Sequence, residues 1–166
     1  MGLLVVSPRR VAALKSAREK IEEATGVKVE VKDDGSVSFA GDEGAAWTAL
    51  QICRAIGYGF LPKQALKLTG DDYFLEVVDL REAFKGNEKK MKRYKARVIG
   101  EKGKAKENIQ ELSGAWVSIF EEDVAILGKY ADLQAAKTAV YKLLEGREHA
   151  TVYAFLEAKR KQGELS

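Results

Sequence analysis

Apolar residues recur along this chain in two rhythms. Val11, Leu14, Ala17, Ile21 and Ala24 are spaced three or four apart, which predicts a helix with one buried face that ends at Gly26. Val27, Val29 and Val31 then alternate with Lys28, Glu30 and Lys32, the period-two pattern of a half-buried strand. Asp33-Asp34-Gly35-Ser36 reads as a turn, and Val37 and Phe39 start a returning strand. Before these lies an apolar strand-like run, Leu3 to Val6; after them Ala45 to Ile56 reads as a helix with Trp47, Leu50, Cys53 and Ala46 or Ile56 inward, ending at Gly57. A short helix from Pro62 and a strand from Tyr73 to Leu80 follow, closed by a turn at Phe84 to Asn87.

The second half reads as a strand near Met91 to Lys95, a turn at Arg97 to Ile99, and a helix from Lys104 with Ile109 and Leu112 inward, ending at Gly114. Trp116 to Phe120 and Val124 to Leu127 are then two strands about an acidic turn. Helices over Ala131 to Leu144 and His149 to Lys161 close the chain. The order of the first half thus recurs. Ile21 to Val31 aligns with Ile109 to Ile119, with matches at apolar positions and at the helix-ending Gly26 and Gly114. The halves differ in one place. Ile99 lies ten residues before Ile109, whereas Leu14, its expected counterpart, lies seven before Ile21, and Leu14 to Arg18 holds no glycine. The first copy therefore lacks a loop that the second has.

Composition narrows the function classes. The 166 residues are 46% hydrophobic and 32% charged, with no apolar run near the ~20 residues of a membrane-spanning helix, so the chain is expected to be soluble and cytoplasmic, with no membrane partner. One cysteine, Cys53, and one histidine, His149, supply neither a disulfide nor a metal-ligand cluster; no metal and no cofactor are expected. The paired aspartates 33 and 34 are better explained by turn chemistry than by a metal site. Gly57-Tyr58-Gly59 follows a helix and has no third glycine, so it is not a dinucleotide fingerprint. Gly103-Lys104 is followed by Ala105, which excludes a nucleotide phosphate loop. No nucleophile has a histidine partner in a pattern that suggests catalysis, so an enzyme is not expected.

The net charge of +3 conceals an uneven distribution. Residues 1–84 carry 11 Lys/Arg against 13 Asp/Glu, residues 85–106 carry 10 against 2, and residues 107–166 carry 7 against 10. The whole surplus sits in one segment, and that segment runs into Gly100-Glu101-Lys102-Gly103. Two glycines three apart let a backbone turn tightly and approach a ligand. A helix starting at Lys104 would point its unpaired N–H groups and positive dipole end into the same corner, which suits a phosphate.

Arg97-Val98-Ile99-Gly100-Glu101-Lys102-Gly103, with Ile109 ten residues after Ile99, is similar to the KH core motif. The doubled unit with its C-terminal helix resembles archaeal relatives of the Krr/Pno-type ribosome-assembly KH proteins over nearly the whole chain. The resemblance implies an α+β fold of two tandem type I KH units (βααββα), the first degenerate, plus a C-terminal helix. On the repeat, the chain divides as 1–84, a unit without a Gly-x-x-Gly loop plus a connecting segment, and 85–166, a unit with that loop and the C-terminal helix. It also implies binding of single-stranded rRNA near the 3′ end of the small subunit during maturation, and contact with an rRNA-trimming endonuclease or other assembly proteins.

KH modules clamp about four nucleotides, with phosphates at the loop and bases over an apolar groove. The expected clamp is Gly100, Glu101, Lys102 and Gly103, with Glu101 turned to solvent. Lys104 and Lys106 add sequence-independent attraction. Ile99, Ile109 and Val117 are candidates for the groove floor, and Arg97 borders the loop. Arg93, Tyr94 and Lys95 are candidates to extend the path, Tyr94 by stacking on a base or else as a half-buried strand residue. A protein-interaction scaffold, with RNA contact secondary, is the competing reading, since the loopless first unit could hold a protein.

Overall fold

The structure, a computed structural model, describes residues 3–166 and divides into two compact units that meet in sequence at Tyr73 and Phe74. It is an α+β protein with two three-stranded sheets.

In the first unit, β1 (Leu3–Val5) is followed by a single 3-10 turn at Pro8–Arg10 and by α1 (Val11–Thr25). Next come β2 (Lys28–Val31), β3 (Ser36–Ala40), α2 (Glu43–Gly57) and the one-turn helix α3 (Pro62–Ala65). The sheet order is β1-β3-β2, with both pairs antiparallel. Val11, Leu14, Ala17 and Ile21 are the buried stripe of α1, as their spacing predicts. Gly26 ends it in a left-handed conformation (φ 75°), its N–H donating to the Glu22 carbonyl. Val29, Val37 and Phe39 face the same core from the sheet. In the turn between β2 and β3, Asp34 accepts hydrogen bonds from the Ser36 hydroxyl and N–H, which hold its carboxyl below the usual range.

Two expectations for this unit are corrected. Trp47 does not face inward; it is 64% exposed. The buried stripe of α2 is Ala46, Ala49, Ile52, Cys53 and Ile56, and Trp47 lies one position off it, while the two small alanines let the helix back lie close to its neighbours. Nor does this unit have two α-helices between its first two strands. With no glycine to interrupt it, α1 runs unbroken for 15 residues through the region where the second unit bends.

In the second unit, β4 (Tyr73–Asp79) leads into the one-turn helix α4 (Leu80–Ala83), then α5 (Glu88–Ile99), the glycine loop and α6 (Lys104–Ser113). β5 (Trp116–Phe120), β6 (Asp123–Lys129), α7 (Tyr130–Leu144) and α8 (His149–Lys161) complete it. The strand order is β4-β6-β5, so the last strand is central here as it is in the first unit. The strand expected over Met91 to Lys95 is instead the middle of α5. Met91, Tyr94 and Val98 face the core at helical spacing, and Asn87 caps the helix by accepting from the Lys90 N–H at 3.1 Å. Met91 and Tyr94 lie three residues apart, a helical and not a strand spacing, and the basic residues fall between and after them. The sheet's first strand is β4, so the segment from Phe74 to Phe84 belongs to the second unit, and the division falls before the expected 84/85 boundary.

The internal repeat is visible in hydrogen bonds. Glu22 Oε2 accepts from the Val29 N–H at 2.8 Å, and Gln110 Oε1 accepts from the Val117 N–H at 2.9 Å. Gly26 and Gly114 are both left-handed helix ends, and Thr25 and Ser113 both accept through their hydroxyl from the N–H two residues on.

Candidate nucleic-acid interface

At Gly100 α5 stops and the chain turns through Glu101–Gly103 into α6. Three successive features require special backbone. Gly100 has φ 77°, ψ 170°, Lys102 is left-handed at φ 54°, and Gly103 has φ 76°. A Cβ on Gly100 would lie 2.5 Å from the Ala105 nitrogen and 2.6 Å from its Cβ, so the loop closes on the first turn of α6 only because this residue has no side chain. A Cβ on Gly103 would meet open space, so that glycine is needed for its φ alone. Lys102 holds its conformation without that freedom, a local strain of the kind found at ligand clamps. Glu101 and Lys102 are exposed at the tip. No side chain caps the amino end of α6, whose N-cap is Gly103 itself. The first-turn N–H groups and the positive end of the helix dipole therefore face the loop, an arrangement suited to an anion.

The cations expected at this corner fall into two groups. Lys102 and Lys104 are exposed, Lys104 only loosely engaged with Glu107 at 3.7 Å, and Lys106 is half-buried two residues on. Arg93 is exposed on α5, and Lys95 lines a small cavity with Leu80, Met91 and Glu122 near the β5–β6 turn. Arg97 is different. Its guanidinium donates to the Leu143 carbonyl and, at 2.6 Å, to the Arg147 carbonyl, while the His149 Nε2–H donates to the Arg97 carbonyl at 2.9 Å. Arg97 thus ties α5 to the end of α7 and to the start of α8, and its charge is placed at the negative end of a helix.

The apolar candidates also separate. Ile109 and Val117 are 0% and 2% exposed and belong to the core of the unit, so neither side chain is open to a ligand; Ile99 is half-buried beside the loop. Tyr94 stacks on Phe84 with ring centroids 5.0 Å apart, and the Arg93 guanidinium lies 5.3 Å from its ring. It packs on the core from a helix, not from a strand. The β5–β6 turn is anchored by Arg81, which holds both oxygens of Glu122 at 2.7 and 2.8 Å and keeps that carboxyl below the usual range.

Sequence reasoning missed a cavity further along α6. Gln110, Glu111, Gly114 and Trp116 line a shallow cavity between α6 and the start of β5. The signal was present in the repeat, where Gln110 pairs with Glu22, two polar residues at one aligned position. Among the described residues no group of three or more His, Cys, Asp or Glu side chains could hold a metal ion, and no helix is long and apolar enough to cross a membrane.

A glycine loop between two helices, joined to a three-stranded sheet whose last strand is central, defines a type I KH module. The family described as "Eukaryotic type KH-domain (KH-domain type I)", in the form of the second KH domain of PNO1, matches residues 74–161. The chain belongs to this PNO1 family of KH-domain proteins. A KH domain-containing protein of Methanocaldococcus jannaschii is 43% identical over 89% of this chain and 66% of its own length. The RNA-binding protein pno1 of Ixodes scapularis is 32% identical over 63% of this chain and 45% of its own length. This chain thus spans about two thirds of the first relative and under half of the second. Among solved structures, aDim2p in a complex with a/eIF2alpha and rRNA from Pyrococcus horikoshii OT3 superposes with a TM-score of 0.86 at 32% identity, over 97% of this chain and 94% of that one.

Proposed function

We propose that this protein is a non-catalytic, cytoplasmic RNA-binding factor that holds single-stranded small-subunit rRNA during ribosome assembly and 3′-end maturation. The observation that carries the reading is the strained glycine loop set against the uncapped amino end of α6. Lys102, Lys104 and Lys106 add cations there, and Arg93 and Lys95 extend the charge along α5. Gly100, Glu101, Lys102 and Gly103 form the clamp, with Ile99 at its edge. The rRNA in the complex of the aDim2p neighbour supports the choice of RNA. The first unit is a degenerate type I KH module: its strand order, its helix-ending glycine and the Glu22 bond to β2 match the second unit, while its continuous α1 leaves no loop for phosphates.

The test is anisotropy binding of a short fragment of the rRNA 3′ end, free and annealed to its complement, at two salt concentrations. Tighter binding of the single strand, weakened by salt, is the expected outcome. Equal binding of both forms would overturn the reading.

A second reading, a scaffold whose first unit docks a protein, is favoured by one observation: the aDim2p neighbour is in a complex that holds a protein, a/eIF2alpha, as well as rRNA. An rRNA-trimming endonuclease is the candidate partner that the sequence resemblance implies. A native pull-down with and without ribonuclease separates direct protein contact from contact through RNA.

A further inference from the structure

The groove beside the clamp holds a polar group that phosphate binding leaves unused. Gln110 lies seven residues along α6 from Gly103, about 10 Å at the helical rise, within the reach of a strand of four nucleotides held at the loop. Its Oε1 accepts from the Val117 N–H at 2.9 Å. A backbone N–H can only donate, so this bond fixes the orientation of the amide: the oxygen faces the strand, and Nε2, with its two hydrogens, faces away from it. Among the described residues no acceptor is paired with Nε2. The side chain is half-buried and lines a cavity of about 460 Å³ with Glu107, Glu111 and Trp116. The two carboxylates disfavour a phosphate there, and the half-buried indole offers an apolar surface, so the cavity suits an uncharged base while the backbone stays with the lysines at the loop.

The first unit supplies an internal control. Glu22 braces β2 by the same bond at 2.8 Å, but its other oxygen can only accept. Bracing the strand therefore does not require an amide. What the second unit adds is the donor.

We propose that Gln110 is a specificity-determining residue: its Nε2 donates to an acceptor, a carbonyl oxygen or ring nitrogen, on the base that lies against Trp116. This rests on the RNA-binding reading above. The test is a binding panel of single-base substitutions in the single-stranded rRNA 3′-end fragment, measured with the native protein, Gln110→Glu, Glu22→Gln and the double variant Glu101→Asp with Lys102→Asp. Gln110→Glu keeps the oxygen for Val117, as Glu22 does for Val29, so it should fold. It is expected to lose about five- to tenfold in affinity for the preferred base at one RNA position, the size of one hydrogen bond, and to lose the preference there. Glu22→Gln is expected to change nothing. An equal loss at every position would be bare charge repulsion and would overturn the proposal, as would an unchanged preference. If the loop variant abolishes binding while Gln110→Glu behaves as the native protein, this inference alone fails; if neither has any effect, the RNA reading fails with it.

Discussion

Gly100 and Gly103 both have positive φ, yet substitution should separate them. Gly103→Ala meets no neighbour and is expected to cost about 1–2 kcal/mol, the strain of a left-handed residue. Gly100→Ala adds a collision with the Ala105 backbone, so its loss in urea unfolding should exceed that of Gly103→Ala, and its RNA affinity should fall because the amino end of α6 must move. Cys53 gives a pH prediction of known sign. Burial pushes its thiol from an ordinary 9.0 up to about 12. The folded state therefore keeps its proton where the unfolded state gives it up, and this contribution to stability is full below pH 9 and is lost as pH rises from there toward 12. At pH 8 the native protein should resist a thiol reagent that labels it at once in denaturant; rapid native labelling would contradict the burial.

At the scale of elements, α5 carries most of the basic surplus, and its cations have distinct tasks. Arg97→Ala removes charged hydrogen bonds to the Leu143 and Arg147 carbonyls and should destabilise the protein by about 2–3 kcal/mol in denaturant unfolding. Arg93→Ala removes only an exposed contact with the Tyr94 ring, so it should lower the unfolding midpoint far less than Arg97→Ala and should lower RNA affinity. The same effect of both variants on stability would contradict this division. The element also shows where sequence reading stops. Met91-Lys92-Arg93-Tyr94-Lys95 is too short to fix a period by itself; the three-residue step from Met91 to Tyr94, the further step to Val98 and Asn87 as cap together mark a helix. Once that segment is read as a strand, the true first strand, Tyr73–Asp79, is left to the wrong unit and the boundary moves with it. Trp47 makes a related point: size does not mark burial, because Ala46 and Ala49 set the stripe and Trp47 stands one position off it. The glycine loop needed no such discrimination, because two glycines before an amphipathic helix carry their geometry in residue type. Arg97 did, since its carbonyl partners lie 46 and 50 residues away.

For the whole molecule, the charge map and the repeat set the two units apart. Both units share a strand order and a strand-bracing side chain, but only the second bends its helices about a glycine loop, and the positive surplus is confined to that segment. If Lys102, Lys104 and Lys106 each meet a phosphate, the logarithmic salt slope of single-strand binding should be about −2, and replacing Lys104 by Ala should reduce it by about 0.7. Lysines of the first unit, such as Lys20, should leave the slope unchanged.

We propose that RNA is held at the loop from Gly100 to Gly103. The most direct test is the affinity of the double variant Glu101→Asp with Lys102→Asp for the single-stranded rRNA 3′-end fragment, measured beside its unfolding midpoint. A loss of about tenfold or more is predicted, from putting a second carboxylate where a phosphate must sit, with the midpoint little changed because both side chains are exposed. Native affinity in a folded variant would contradict the account.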